Sequence, residues 1–402
     1  MVGLGLSAVP GATARAATAP AAPSIGVTRT AVTVGGIVAG DASSAGAEIG
    51  AQARFARANA HRGVAGRRIQ YAGTETDAAD PVQDTAAVQK LAPTVFAVVP
   101  AVSAALDTAA LAQARLPFFG AAATTGWDAN RFGFGFVGAQ AALQTRVASP
   151  AWGMQLRSLL GTAQGSGVTI AVDDDELGTA RAEQARLSLQ AAGFVVAAPV
   201  ALPTPPAAVP DLAPIAASLT TGAPAAILLL TSSATTTAIA RQLTVLGFTG
   251  TVAVSEALYL PALPAIANGL TVFVPYAPVE QSTAGNRRLA ADVEKFAPGT
   301  TLTPGIVAGY WSADAFLGVL AKTGRQLTVA RFLAVANGGD FSFGVPGTVG
   351  TSNWPAMHSQ PVPCGALVQS DGSRYFVAEP YRCGDPVVRK TKKTKKTSTT
   401  KS

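Results

Sequence analysis

The feature that most limits the fold of this chain is an alternation that runs through it and then starts again. Short runs rich in β-branched and aromatic residues fall at 31–38 (AVTVGGIV), 68–72, 95–99, 117–120, 168–173 (VTIAVD), 194–200, 226–231 (AILLLT), 251–255 and 270–276. Several are continuously apolar, as strands covered on both faces are. Between them, Ala-rich stretches with helical spacing predict helices at 46–61, 81–92, 103–114, 178–192, 234–246, 284–297 and 305–323. In the 178–192 segment Leu187 and Ala191 keep one stripe, and Gly193 is placed to stop the helix. Such alternation builds parallel sheets through right-handed crossovers. One series ends near 140 and a second starts at 168, so the expected fold is α/β with two doubly wound parallel-sheet lobes. The length of 402 residues is too great for one ordinary core and suits two domains.

Both ends stand apart from this body. The formal net charge is +7, and Arg389, Lys390, Lys392, Lys393, Lys395, Lys396 and Lys401 place seven bases in 389–402 with no acid among them. Subtracting them leaves a neutral body, which gives no support for a phosphate-tracking groove or a nucleic-acid partner. The 389–402 tail is expected to be disordered, either as a solubilising extension or in contact with anionic cell-wall polymer or a membrane surface. Residues 1–27 read as the remnant of an export signal. Ala12-Thr13-Ala14 and Ala14-Arg15-Ala16 fit a small-x-small cleavage site, but a basic start is missing, and an Ala/Pro leader is the alternative. Cys364 and Cys383 are the only cysteines. In an oxidising compartment they would close a loop of about 20 residues, worth roughly 3 kcal/mol; two separate buried thiols are the other reading. With His358 as the one histidine nearby, they fall short of a zinc site.

Enzyme chemistry is hard to find. Of the two histidines, His61 sits at a helix end beside Arg62-Gly63 as a solvated cap, and His358 lies in a Pro-rich loop, structural or exposed. No nucleophile elbow, metalloprotease pair or phosphate-binding lysine loop is spelled out. Gly133-Phe134-Gly135-Phe136-Val137-Gly138 has the GxGxxG spelling, yet it follows Asn130-Arg131 instead of a strand and opens no helix. The run Asp173-Asp174-Asp175-Glu176 lacks the spacing of a calcium or magnesium loop and reads as a solvated turn. No metal and no cofactor is implied.

What remains lies at the carboxyl ends of the strands, where open parallel sheets bind ligands: 99–104, 120–128, 173–178, 231–236 and 255–259. Ser103 is expected to open a helix, and Ala121-Ala122-Ala123-Thr124-Thr125 follows the 117–120 strand. Backbone N–H groups and small hydroxyls there can hold a carboxylate. Glu256, after a strand of the second series, could face an ammonium. Together they describe capture of a zwitterion and no reaction.

These residues resemble the type-1 periplasmic binding proteins of the leucine/isoleucine/valine-binding kind, over about 28–325. The first half carries Gly46-Ala47-x-x-Gly50-Ala51, Asn59, Gly63-Val64-x-Gly66-Arg67-Arg68-Ile69, Asp77-x-x-Asp80-Pro81, Val88 with Lys90-Leu91, Pro100-x-x-Ser103 and Pro117-Phe118-Phe119-Gly120-Ala121-Ala122-Ala123-Thr124. The second carries Val168-Thr169-Ile170-Ala171-Val172-Asp173-Asp174-x-x-Leu177-Gly178, and Pro304-x4-Gly309-Tyr310-x3-Asp314-Ala315 follows later. The resemblance implies two lobes joined by three crossovers and closing like a hinge. By that pattern lobe I is 28–145 plus 274–340, and lobe II is 146–273 plus 341–388.

By the same resemblance Ser103 and Thr124 match the carboxylate-holding positions. The backbone of Ala122, in the Ala122-Ala123 stretch, matches a carbonyl facing the ammonium, and Glu256 matches its acidic partner. Three family aromatics are replaced, by Leu177, Ser232 and Ala45. Either the ligand differs, or closure is looser, or Trp127 and Tyr259 supply the missing rings; Trp127 equally reads as packing. The implied protein is an exported, monomeric solute-binding protein that captures a small amino acid or related carboxylate for an ABC permease. A ligand-sensing receptor and a degenerate cell-wall-associated binding domain are the alternatives.

Overall fold

A computed structural model describes residues 24–143, 146–162, 164–203, 211–260 and 269–389. The expected leader up to residue 23 and the tail from 390 onward lie outside these residues. The body reaches slightly further than expected at each end. Val27 bridges Val32, and the Arg389 N–H donates to the Arg146 carbonyl at 2.8 Å.

The first half forms β1 (Ala31–Val38), α1 (Ala47–Ala60), β2 (Arg68–Thr76), α2 (Pro81–Leu91), β3 (Ala97–Val102), α3 (Thr108–Gln113), β4 (Phe118–Gly120) and β5 (Gly133–Gly135). Its strands make one parallel sheet in the order β2-β1-β3-β4-β5. Local signals fix the helix starts: Asp80 accepts from the Val82 N–H at 2.8 Å, with Pro81 in the first turn. Ser103 does not open a helix as expected. Its hydroxyl accepts from the Ala105 N–H at 3.0 Å, while Asp107 accepts from the Ala110 N–H and starts α3 at Thr108. An aspartate at the capping position outcompetes the earlier serine, whose hydroxyl is taken up by a tight turn. The glycine-rich run holds a strand after all. A Cβ on Gly133 would come within 2.5 Å of the Phe118 ring, so the glycine serves packing and not phosphate binding.

The chain then crosses over and builds β6 (Val147–Ala148), α4 (Ala151–Leu160), β7 (Gly167–Asp173), α5 (Glu176–Ala191), β8 (Val195–Val196), β9 (Val200–Leu202), α6 (Ala213–Leu219), β10 (Ala226–Leu230), α7 (Ser233–Val245), β11 (Thr251–Val254) and β12 (Thr271–Val274). It returns for α8 (Ala284–Phe296), α9 (Pro304–Thr323), α10 (Val329–Ala336) and the hairpin of β13 (Ser342–Val345) and β14 (Val349–Asn353). A third crossing leads to β15 (Cys364–Ser370), β16 (Tyr375–Cys383) and β17 (Val387–Val388). The second sheet runs β16-β15-β12-β11-β10-β7-β8, with β9 also on β7. Its last two strands are antiparallel, and Cys364 and Cys383 face each other across them in a disulfide.

The α9 helix is buried almost all round against the first sheet and crosses α1 in backbone contact. A Cβ on Gly50 would lie 2.0 Å from the Ile306 carbonyl oxygen, and one on Gly309 1.8 Å from that of Ala47, so only glycine permits the crossing. Phe119, Phe134, Phe316 and Phe332 pack ring against ring beneath it. The β13–β14 region also faces this core. Ser352 donates to the Phe136 carbonyl at 2.9 Å, and Trp354 meets Phe134 edge-on at 5.3 Å. Ser352 and Trp354 fall in the 341–388 segment that the resemblance assigns to lobe II, and they contact the core of the first sheet. The first and third crossings are tied together: Val362 N–H donates to the Val137 carbonyl at 2.9 Å, and Gly138 bridges Pro361.

Candidate functional site

The carboxyl ends of strands from both sheets converge on one cavity of about 200 Å³. From the first sheet, the segment after β3 brings Ser103 and the segment after β4 brings Ala122, Ala123 and Thr124. From the second, the turn after β7 brings Leu177, and the short helical turn Glu256–Leu258 after β11 brings Glu256. Six of the seven expected ligand positions thus share one space.

Ser232 does not. It caps α7, its hydroxyl bonded to the Thr235 hydroxyl at 2.9 Å, so the helix start consumes the group expected at the ligand. Trp127 lines the cavity and packs on Phe118 with centroids 4.7 Å apart, so wall and packing are one role. Tyr259 is turned away: its hydroxyl donates to Glu280 and accepts from the Val279 N–H, and its ring lies against Tyr375. Tyr276, two residues past the end of β12, lines the cavity, its phenol pushed up by burial and then by the negative charge of Glu256.

Sequence reasoning missed Arg181. It reaches from α5 toward the first lobe, with Nη2 3.5 Å from the Ala123 carbonyl oxygen. Leu177, Arg181 and Gln184 stand at i, i+4 and i+7 on that helix, so one helical face looks into the cleft. Stepping a single turn beyond Leu177 would have found it. Neither Arg181 nor Glu256 takes part in any ion pair within 4.0 Å among the described residues. Ala122 carries strain, holding φ at +52° while its carbonyl accepts from the Gln140 N–H at 3.1 Å.

The groups passed over for catalysis fall elsewhere. Asp175 caps α5 by accepting from the Gly178 N–H. His61 closes α1. His358 is buried against Asn337, its pKa pushed down to about 4 by burial, so the imidazole is neutral at physiological pH. Among the described residues no group of three or more His, Cys, Asp or Glu side chains could hold a metal ion, and no helix is long and apolar enough to cross a membrane.

Strand ends from two sheets, small hydroxyls and two opposite charges without an ion pair thus line one cavity among the described residues. The chain belongs to the family described as "Periplasmic binding protein", whose profile matches residues 30–374, and its fold is the type-1 form of that family. Proteins of this family are exported solute-binding components of ABC transporters. Among solved structures the chain is similar to a fatty acid ABC transporter substrate-binding protein from Thermomonospora curvata, at 17% identity and TM-score 0.68, covering 90% of this chain and 95% of that one. It is also similar to a leucine-, isoleucine-, valine-, threonine- and alanine-binding protein from Brucella ovis in its closed conformation, at 15% identity and TM-score 0.69, covering 89% and 97%. A solute-binding protein from R. palustris in complex with 4-hydroxybenzoate matches at 17% identity and TM-score 0.67, covering 88% and 97%. Comparison with curated protein sequences finds no match.

Proposed function

We propose that the protein captures a small amino acid or related carboxylate between its two lobes and delivers it, unaltered, to an ABC permease. The observation that carries this reading is the convergence of Ser103, Thr124, Arg181 and Glu256 on one mostly apolar cavity, with neither charge neutralised inside the protein. Ser103 and Thr124 hold the carboxylate, and Arg181, beside Ala123, strengthens that end with a charge-assisted hydrogen bond. Glu256 and the Ala122 carbonyl receive an ammonium where the ligand has one. The apolar wall of Trp127, Leu177, Leu260 and Tyr276 takes the hydrocarbon part. The solutes named for the three similar proteins, fatty acid, the amino acids leucine, isoleucine, valine, threonine and alanine, and 4-hydroxybenzoate, all carry a carboxylate on a largely hydrocarbon body, in keeping with this lining.

Closure of the lobes about the crossings would bury the ligand, and the Cys364–Cys383 disulfide suits an oxidising compartment outside the cytoplasm. The protein acts as a monomer in this scheme. A thermal-shift screen with amino acids, aromatic acids and their amides, followed by calorimetry, tests it. Binding of carboxylates but not of their amides supports the reading, and indifference to the carboxylate removes it.

A further inference from the structure

Next to the main cavity a second compartment of about 50 Å³ runs beneath the rim of the second lobe. Trp152, Gln184, Leu230, Ser255 and Phe273 line it, and Gln140, Arg181 and Glu256 border both spaces. Gln184 is only 8% exposed and Ser255 only 4%. The Gln184 Nε2 and Oε1 and the Ser255 Oγ have no hydrogen-bond partner within the protein. Buried amides and hydroxyls are almost always paired, and leaving them unpaired is costly. Elsewhere on the same helix the rule is kept: Ser188 accepts from the Gly153 N–H at 3.0 Å. Three polar atoms without a partner, on two residues that line one small space together with the stacked rings of Trp152 and Phe273, 4.4 Å apart, mark a place prepared for a partner.

We infer that this compartment is a second subsite, which receives the far end of the ligand and selects a neutral group that both donates and accepts, a carboxamide or a hydroxyl. The inference rests on the reading of the cleft as a carboxylate site. Gln184 presents a donor and an acceptor side by side, and a carboxamide or hydroxyl answers both while Ser255 adds a third contact. A second carboxylate would gain the Gln184 Nε2 donor and compete with the first for Arg181, but would set its charge against the Gln184 Oε1 and Glu256. An ammonium would leave the Nε2 donor unanswered. An alkyl end would leave all three polar atoms unpaired, the circumstance in which a site rejects a ligand lacking the expected group most strongly. The space is large enough for one terminal group.

Calorimetry on the folded chain with two matched pairs, L-glutamine against L-norleucine and 4-hydroxybenzoate against benzoate, tests the subsite. The polar member of at least one pair is expected to bind about tenfold more tightly or better. Gln184→Leu, checked for folding by its thermal melt, is expected to bring that pair within about twofold while the apolar member still binds. Ser255→Ala, a smaller change, is expected to narrow the preference in the same direction. Equal binding within both pairs, or a preference that survives both substitutions, overturns the subsite and leaves the carboxylate site standing. Failure of all four compounds to bind overturns the subsite as stated, whereas the parent reading falls only if the wider screen shows indifference to the carboxylate.

Discussion

The two lobes treat charge in opposite ways. The first turns an uncharged rim to the cleft, built of Ala101, Ser103, Ala121–Thr124 and Trp127, and hides acids in its interior. Asp77 and Asp84 are fully buried there, and burial, reinforced by hydrogen bonding to Asp77, raises the pKa of Asp84 to about 7. The second lobe shows its charge to the cleft, as Arg181 and Glu256. Buried charge governs how stability responds to pH, whereas displayed charge is free to govern what binds. One lobe would then serve as a shaped cradle and the other as the discriminator.

The largest test lies in the first lobe. Asp84 holds its proton more tightly folded than unfolded, so its contribution is present at about pH 4 and is lost as pH rises through about 7. Asp84→Asn should remove that loss, shifting the stability difference between pH 4 and pH 8 by on the order of 2–4 kcal/mol. His358 titrates with the opposite sign but is common to both proteins, so the difference between denaturant melts of wild type and variant across this range removes its contribution. A pH profile identical in the two would end the claim that the first lobe buries an acid that titrates in this range. Comparable in size, Glu256→Gln should weaken an amino-acid ligand by about 2–4 kcal/mol and leave a simple carboxylate acid nearly unaffected. Calorimetry reads the split, and equal losses for both ligands would remove the ammonium role.

Opening the Cys364–Cys383 link should cost about 3 kcal/mol of global stability, seen as a lower midpoint in reducing buffer. An unmoved midpoint would mean that the second sheet holds its edge without it. The smallest effect belongs to the uncharged rim. Ser103→Ala combined with Thr124→Val should weaken carboxylate binding by roughly 1–3 kcal/mol, two neutral hydrogen bonds' worth, with Arg181 retaining the remainder. If this pair costs more than the loss of the Arg181 charge in Arg181→Ala, the assignment of cradle and discriminator is reversed.

Much of this was legible in the sequence, and the failures have physical causes. Runs such as AILLLT at 226–231 had to be buried strands, and they carried the parallel sheets with them. The antiparallel strands Cys364–Ser370 and Tyr375–Cys383 were not expected, because a hairpin among Pro and Gly shows no alternation with helices. Ser103 and Ser232 illustrate the ambiguity of small hydroxyls, which bond equally well to a ligand, a turn or a helix start. One remained in the cavity wall and the other became a cap. Arg181 escaped notice because a basic residue within a helix ordinarily reads as solvated. Only the common face of Leu177, Arg181 and Gln184 distinguishes it.

The pairing of Cys364 with Cys383 also decides where mechanical load would travel. A pull on the C-terminal end first peels Val387–Val388 from Val147–Ala148, a two-residue ladder that gives way easily. The force then arrives at a covalent bond before it can unzip Tyr375–Cys383, and passes into the first residue of the neighbouring strand, which lies inside the sheet beside Thr271–Val274. Tension is thereby spread over strands held on both sides, and the edge of the molecule is spared from tearing one hydrogen bond at a time.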